Sequence, residues 1–307
     1  MLSFLLSHLI HQRFAGRSDG NPKLSYYDVS DLGCKSKPFS FKSENNLLRG
    51  EKVFVGAIND CKKAMVFFHG IGAGHTAYSS EIAYFAKKGF LVYAYDNTGC
   101  MLSEGKGMNH MAHTFVDVKA FFEYLKSDED YHGQEIVACG HSWGGWSALQ
   151  CLNEEIPVGR IVSMGSFCKL EDVFVSQGSL PKWFAQPIRR GLKREFGIDA
   201  VNRYDMLKQT KKPVLFVYGE KDHLLTECGA VRLINELSLQ NPNISCKEIK
   251  NRGHNCYWTE KTDSYFHDLL YKYNYLDINA QSPATFDINK IQDDRVVMDL
   301  IFDFLNS

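Results

Sequence analysis

A short apolar run, Ile136–Cys139, passes directly into Gly140-His141-Ser142-Trp143-Gly144, and a helix-compatible stretch, Gly145–Leu152, follows with no loop between. A strand that turns this sharply into a helix strains the residue at its corner and drives neighbouring side chains together. Glycine on both sides removes those side chains. The pattern Gly-x-Ser-x-Gly between strand and helix therefore predicts that Ser142 Oγ stands exposed at the end of a strand. The N-terminus of the next helix would set a positive dipole end beneath any anion formed there. The alternative is a buried serine on an ordinary glycine-rich turn.

The flanking chain alternates in the way such a corner requires. Ala64–Phe68, Phe90–Tyr95, Arg160–Met164 and Pro213–Tyr218 are apolar, β-branched and aromatic runs suited to parallel strands covered on both faces. Pro38–Lys42 and Glu51–Val55 suggest an antiparallel opening pair, and the alternation in Ile244–Ile249 suits a strand near the edge. Between them, Ala77–Lys88, His113–Ser127 and Val296–Phe304 read as helices. This predicts a doubly wound, mainly parallel α/β sheet. One stretch breaks the alternation. Residues 168–210 are too long for a simple crossover and carry Trp183, Phe184, Phe196, Tyr204 and the basic run Arg189-Arg190-Gly191-Leu192-Lys193-Arg194.

A serine hydroxyl is a poor nucleophile at neutral pH and needs a base beside it and a group to orient that base. His254 follows the edge strand in a Gly-His-Asn turn, and Asp222 follows Pro213–Tyr218 just past Gly219, with Glu220 its close competitor. The order Ser142, Asp222, His254, together with Val66-Phe67-Phe68-His69-Gly70, Tyr95-Asp96-Asn97-Thr98-Gly99, Val217–Asp222 and Arg252-Gly253-His254-Asn255, resembles the α/β-hydrolase family and its serine hydrolases over residues 36–270. The resemblance implies a catalytic triad of these three residues. It also implies an oxyanion hole from the backbone N–H of Trp143 and of Ile71, with Gly72 as the fallback. Residues 168–210 would be a helical cap or lid inserted into a core of 36–167 and 211–307, after a lead-in of 1–35. Trp183 and Phe184 would line the substrate pocket, and the Trp143 side chain would line it too or pack under the cap. His69 would brace its loop, and Asp96 its turn. Asp96–Ser103 lacks the arginine and second glycine common in the family at that turn, which leaves the subfamily open.

Composition narrows the partners. A net charge of −1 gives no reason to expect nucleic acid. Gly70, Gly72 and Gly74 lack the Gly-Lys-Ser/Thr of a phosphate loop and the spacing of a dinucleotide loop, the cysteines show no CxxC or CxxH spacing, and a serine triad needs neither cofactor nor metal, so none is expected. Nine scattered cysteines without paired spacing point to reduced thiols and a cytoplasmic setting. The apolar segment 2–10 is too short for a membrane span and lacks a basic start, so a helix packed on the domain or on a partner is expected rather than stable membrane insertion. The expected substrate is a small-molecule acyl compound, foremost a carboxylic ester, with thioesters and small amides as neighbours. Acyl transfer on the same triad and a non-catalytic ligand receptor are the competing classes.

Overall fold

The antiparallel hairpin of Lys35–Ser43 (β1) and Asn46–Phe54 (β2) opens the sheet, and alternating burial in β1 turns Phe39, Phe41 and Ser43 inward. In this computed structural model, which describes residues 16–20, 26–72, 74–177, 180–197, 203–273 and 287–307, six parallel strands follow. They are Lys63–Phe68 (β3), Phe90–Tyr95 (β4), Ile136–His141 (β5), Val158–Met164 (β6), Val214–Gly219 (β7) and Ile244–Ile249 (β8). The eight strands lie in the order β1-β2-β4-β3-β5-β6-β7-β8, with only β1–β2 and β2–β4 antiparallel. β4, β5 and β7 are buried at every position, as strands covered on both faces must be. β8 at the edge is buried only at Ile244. The expected doubly wound, mainly parallel sheet is present.

Each face of the sheet carries its own core. Thr114–Leu125 (α2) and Trp143–Ala148 (α3) cover one face, where Phe39, Phe41, Tyr95, Phe121 and Trp146 pack together. Ser79–Lys87 (α1) and Arg295–Asn306 (α10) cover the other over Met65, Phe67, Val92 and Val137. The elbow helix is shorter than its sequence suggests. After Ala148 it tightens into a 3-10 turn, Leu149–Leu152, whose carbonyls are taken from outside: Arg203 reaches Leu149 O, and Lys212 donates to Cys151 O and, beyond the turn, to Asn153 O and Ile156 O.

Between β6 and β7 the chain leaves the sheet through Leu170–Gln177 (α4), Ala185–Phe196 (α5) and Arg203–Gln209 (α6). Ile188 and Leu192 anchor α5 inward, while Arg190, Lys193 and Arg194 face solvent. Arg189 differs from its basic neighbours, since it lies 3.7 Å from both Glu171 of α4 and Asp205 of α6. The remaining helices are His223–Glu227 (α7), Ala230–Gln240 (α8), Glu260–Tyr273 (α9) and Arg295–Asn306 (α10). Among the described residues no helix is long and apolar enough to cross a membrane. The 2–10 segment lies outside the described residues. All nine cysteines are free thiols.

Candidate active site

Ser142 sits at the corner where β5 becomes α3, with φ 57° and ψ −122°, a conformation that side-chain-bearing residues rarely adopt. Close backbone approach explains the flanking glycines. A Cβ on Gly140 would strike the Gly144 carbonyl, and one on Gly144 would strike the Phe68 carbonyl of β3. Gly145 is equally constrained, because its Cβ would lie 2.5 Å from that of Ser166.

Two more strand ends, those of β7 and β8, bring the other side chains to this corner. His254 Nε2 lies 2.9 Å from Ser142 Oγ, and its Nδ1 lies 2.8 Å from Asp222 Oδ2. The Asp222 side chain is fully buried, whereas that of His254 remains 29% exposed. Asp222 also caps α7, accepting the Leu225 N–H on Oδ1 at 3.1 Å, so both carboxylate oxygens are engaged and its plane is fixed. Glu220 takes a different role. Its carboxylate is exposed, accepts from Lys250 Nζ and the Asn251 N–H, and closes the surface turn after β8. The histidine loop is held from behind. Arg252 donates to Trp258 O at 2.7 Å and to Asp294 at 2.7 Å, and the Gly253 N–H reaches Asp263.

The loop after β3 is braced at nearly every polar group. Burial drives the His69 pKa down, so the ring is neutral and its Nε2 accepts the Asn97 N–H at 3.0 Å. Nδ1–H then donates to Gly70 O at 2.7 Å. In a trans peptide the carbonyl and the following N–H point in opposite directions, so this bond aims the Ile71 N–H away from His69. Gly70 N–H donates to Tyr78 Oη and Gly72 N–H to Ser18 Oγ, while Ile71 N–H has no partner among the described residues. The fallback donor Gly72 is therefore already engaged. Asp96 ties its own turn to the segment after β3, taking the His75 backbone N–H and ring on Oδ1 and Leu102 N–H on Oδ2. Burial alone would raise the Asp96 carboxyl, but the His75 hydrogen bond and charge outweigh it and hold it below the usual range.

The aromatic residues expected near the substrate divide. The Trp143 indole is buried, donates to Met111 O at 3.0 Å and meets the His69 ring edge-on, so it belongs to the core. Its backbone N–H opens α3, where no preceding turn can accept it. Trp183 is 60% exposed and stacks on half-buried Phe184 at 3.7 Å, and neither makes a hydrogen bond or ring contact with Ser142 or His254. Two neighbours of the site went unnoticed in the sequence: Tyr78, and His141 immediately before the serine. The one local sign was a histidine ending an otherwise apolar strand.

The family described as serine aminopeptidase, S33, matches residues 59–197, a stretch that includes Ser142 but ends before Asp222 and His254. No curated protein sequence matches the chain. Among solved structures, an esterase of Pyrococcus furiosus is similar at a TM-score of 0.60 and 19% identity, over 85% of this chain and 97% of that one. Est1E of Butyrivibrio proteoclasticus, solved with ferulic acid bound, is similar at 0.55 and 18%, over 71% and 91%. An acylaminoacyl peptidase of Pyrococcus horikoshii is similar at 0.56 and 16%, over 86% of this chain and 46% of that larger one. Strand order, elbow and superpositions agree, and the chain has the α/β-hydrolase fold.

Proposed function

We propose that the protein is a serine hydrolase that cleaves a carboxylic ester through an acyl-enzyme, with thioesters and small amides within reach of the same chemistry. One observation carries the reading: a single imidazole, His254, spans Ser142 Oγ and a buried carboxylate with both ring nitrogens inside hydrogen-bond distance. Ser142 Oγ attacks the acyl carbonyl while His254 Nε2 takes its proton. Asp222 accepts from Nδ1–H and stabilises the imidazolium. The Trp143 and Ile71 N–H groups receive the oxyanion, each worth about 3 kcal/mol of barrier. The tetrahedral adduct collapses, His254 returns the proton to the departing oxygen, and water repeats the sequence on the acyl-enzyme. The serine aminopeptidase match and the peptidase among the similar structures keep aminoacyl amides beside esters in any substrate panel. Fold alone does not choose between them. Free thiols throughout fit a reducing, cytoplasmic setting.

Treatment with a fluorophosphonate probe, followed by intact-mass spectrometry, tests this directly. Wild type takes up one equivalent and Ser142→Ala takes up none. A folded wild type that stays unlabelled overturns the reading.

Residues 168–210 act, in this reading, as a cap that selects the acyl group. The exposed Trp183–Phe184 stack then gives Trp183→Ala and Phe184→Ala an altered acyl-length profile on p-nitrophenyl esters with little change in melting temperature. An unchanged profile reduces the insertion to a structural excursion.

A further inference from the structure

Two buried side chains outside the triad join the loops that the reaction must keep in register. Gly70 N–H donates to Tyr78 Oη at 3.0 Å, Tyr78 Oη lies 2.9 Å from His141 Nδ1, and His141 Nε2 lies 3.1 Å from the backbone oxygen of His254. The two ends dictate the direction of the whole chain. A peptide N–H can only donate and a peptide carbonyl can only accept. His141 must therefore carry its proton on Nε2, leaving Nδ1 to accept, and Tyr78 O–H must donate to it. Burial supports both states: it holds the His141 pKa well below the usual histidine range, and it raises that of the Tyr78 hydroxyl. Both residues are nearly inaccessible, at 8% and 3% exposure. The His141 ring also packs against the His254 ring at 4.9 Å and edge-on to Tyr257 at 5.0 Å. Gly165 makes room for this arrangement, since a Cβ there would lie 2.7 Å from His254 O.

We propose that Tyr78 and His141 are positioning residues, a one-directional hydrogen-bonded link that holds the loop of Gly70 and Ile71 at a fixed distance from the loop of His254. The inference rests on the serine-hydrolase reading. Neither side chain needs to touch substrate. Tyr78 claims the Gly70 N–H beside the unengaged Ile71 N–H, and by claiming the His254 carbonyl, His141 limits how far the imidazole can swing from Ser142. The effect falls on the transition state, where donors and base must converge, and not on ground-state binding.

The test uses Tyr78→Phe, which removes one hydroxyl, and His141→Gln, whose amide can still reach the His254 carbonyl but offers Tyr78 no ring nitrogen. Second-order fluorophosphonate labelling and p-nitrophenyl acetate kinetics are measured well below each melting temperature. Tyr78→Phe is expected to lower the labelling rate and kcat roughly 10- to 100-fold with KM unchanged, a size typical of small misplacements in a catalytic array. The double variant loses no more than the worse single one, because one link is broken in either case. Tyr84, a tyrosine of equal exposure on α1, the helix that begins just after Tyr78, bonds the surface residue Asp299, and Tyr84→Phe labels at the wild-type rate. Wild-type labelling and kcat in Tyr78→Phe overturn the link, as does a loss seen only in KM or melting temperature. A wild type that takes no label at all overturns the hydrolase reading itself, and the link with it.

Discussion

Asp222→Asn lowers kcat by about 10⁴-fold, while Glu220→Gln changes it by less than about threefold. The first value follows from what an amide does at this position. Leu225 N–H needs an acceptor and already occupies Oδ1. An asparagine satisfies that helix cap with its oxygen and so turns its NH₂ toward His254. Nδ1 then becomes the acceptor, the proton moves to Nε2, and the imidazole presents a donor to Ser142 where a base is required. Folding survives because the cap survives. Glu220 spends its carboxylate on Lys250 and Asn251 at the surface, where screened pairs contribute little. Steady-state kinetics on whichever ester wild type cleaves decide the matter. A large loss in Glu220→Gln with a normal Asp222→Asn would move the acid to Glu220.

Lys52→Met destabilises the protein by about 3–5 kcal/mol without touching the site. Lys52 on β2 is 3% exposed and lies against Asp128 and Asp130, at the end of α2, with 2.6 Å to Asp130 Oδ2. Tyr93 and Tyr124 also donate to Asp128. Removing the ammonium leaves two carboxylates facing each other with Lys37 the remaining cation. The pH dependence has a definite sign. Burial alone would raise the Asp130 carboxyl, but Lys37 and Lys52 hold it below its ordinary value. A carboxyl depressed on folding stabilises above its unfolded pKa and loses that contribution as pH falls through the folded one. Urea unfolding at pH 7 and pH 3 reads both: the variant's deficit is large at neutral pH and shrinks in acid. An equal deficit at both values would locate the effect in lost packing.

Fold and chemistry were legible to different depths. Parallel strands announce themselves because burial on both faces admits only apolar residues, as in Phe90–Tyr95 and Val214–Gly219. Ser142, Asp222 and His254, which the structure brings within hydrogen-bond distance, stand out in the sequence because glycines mark the sharp turns that hold them. Ile71 is expected as an oxyanion donor from its place after His69-Gly70, but no local pattern reveals that the neighbouring Gly72 N–H is taken by Ser18, more than fifty residues upstream. Tyr78 and His141 were hidden for the same reason. Each looks like an ordinary core aromatic or a variable elbow position until sheet register brings them within a hydrogen bond. The sequence leaves the Trp143 side chain between the pocket and the core because it adjoins the serine, and helix geometry swings it into the core toward Met111.

The segment around Ser18 changes how the chain can be handled. Ser18 forms a parallel bridge to Cys100, and the Arg17 guanidinium gathers the carbonyls of Met101, Ser103 and Gly105. These few residues strap the loop after β4 and, through the Ser18 hydroxyl, the Ile71–Gly72 turn. Substitutions that remove the Arg17 guanidinium or the Ser18 hydroxyl therefore loosen the loop after β4 and free the Gly72 N–H beside Ile71, although none of these groups belongs to the triad.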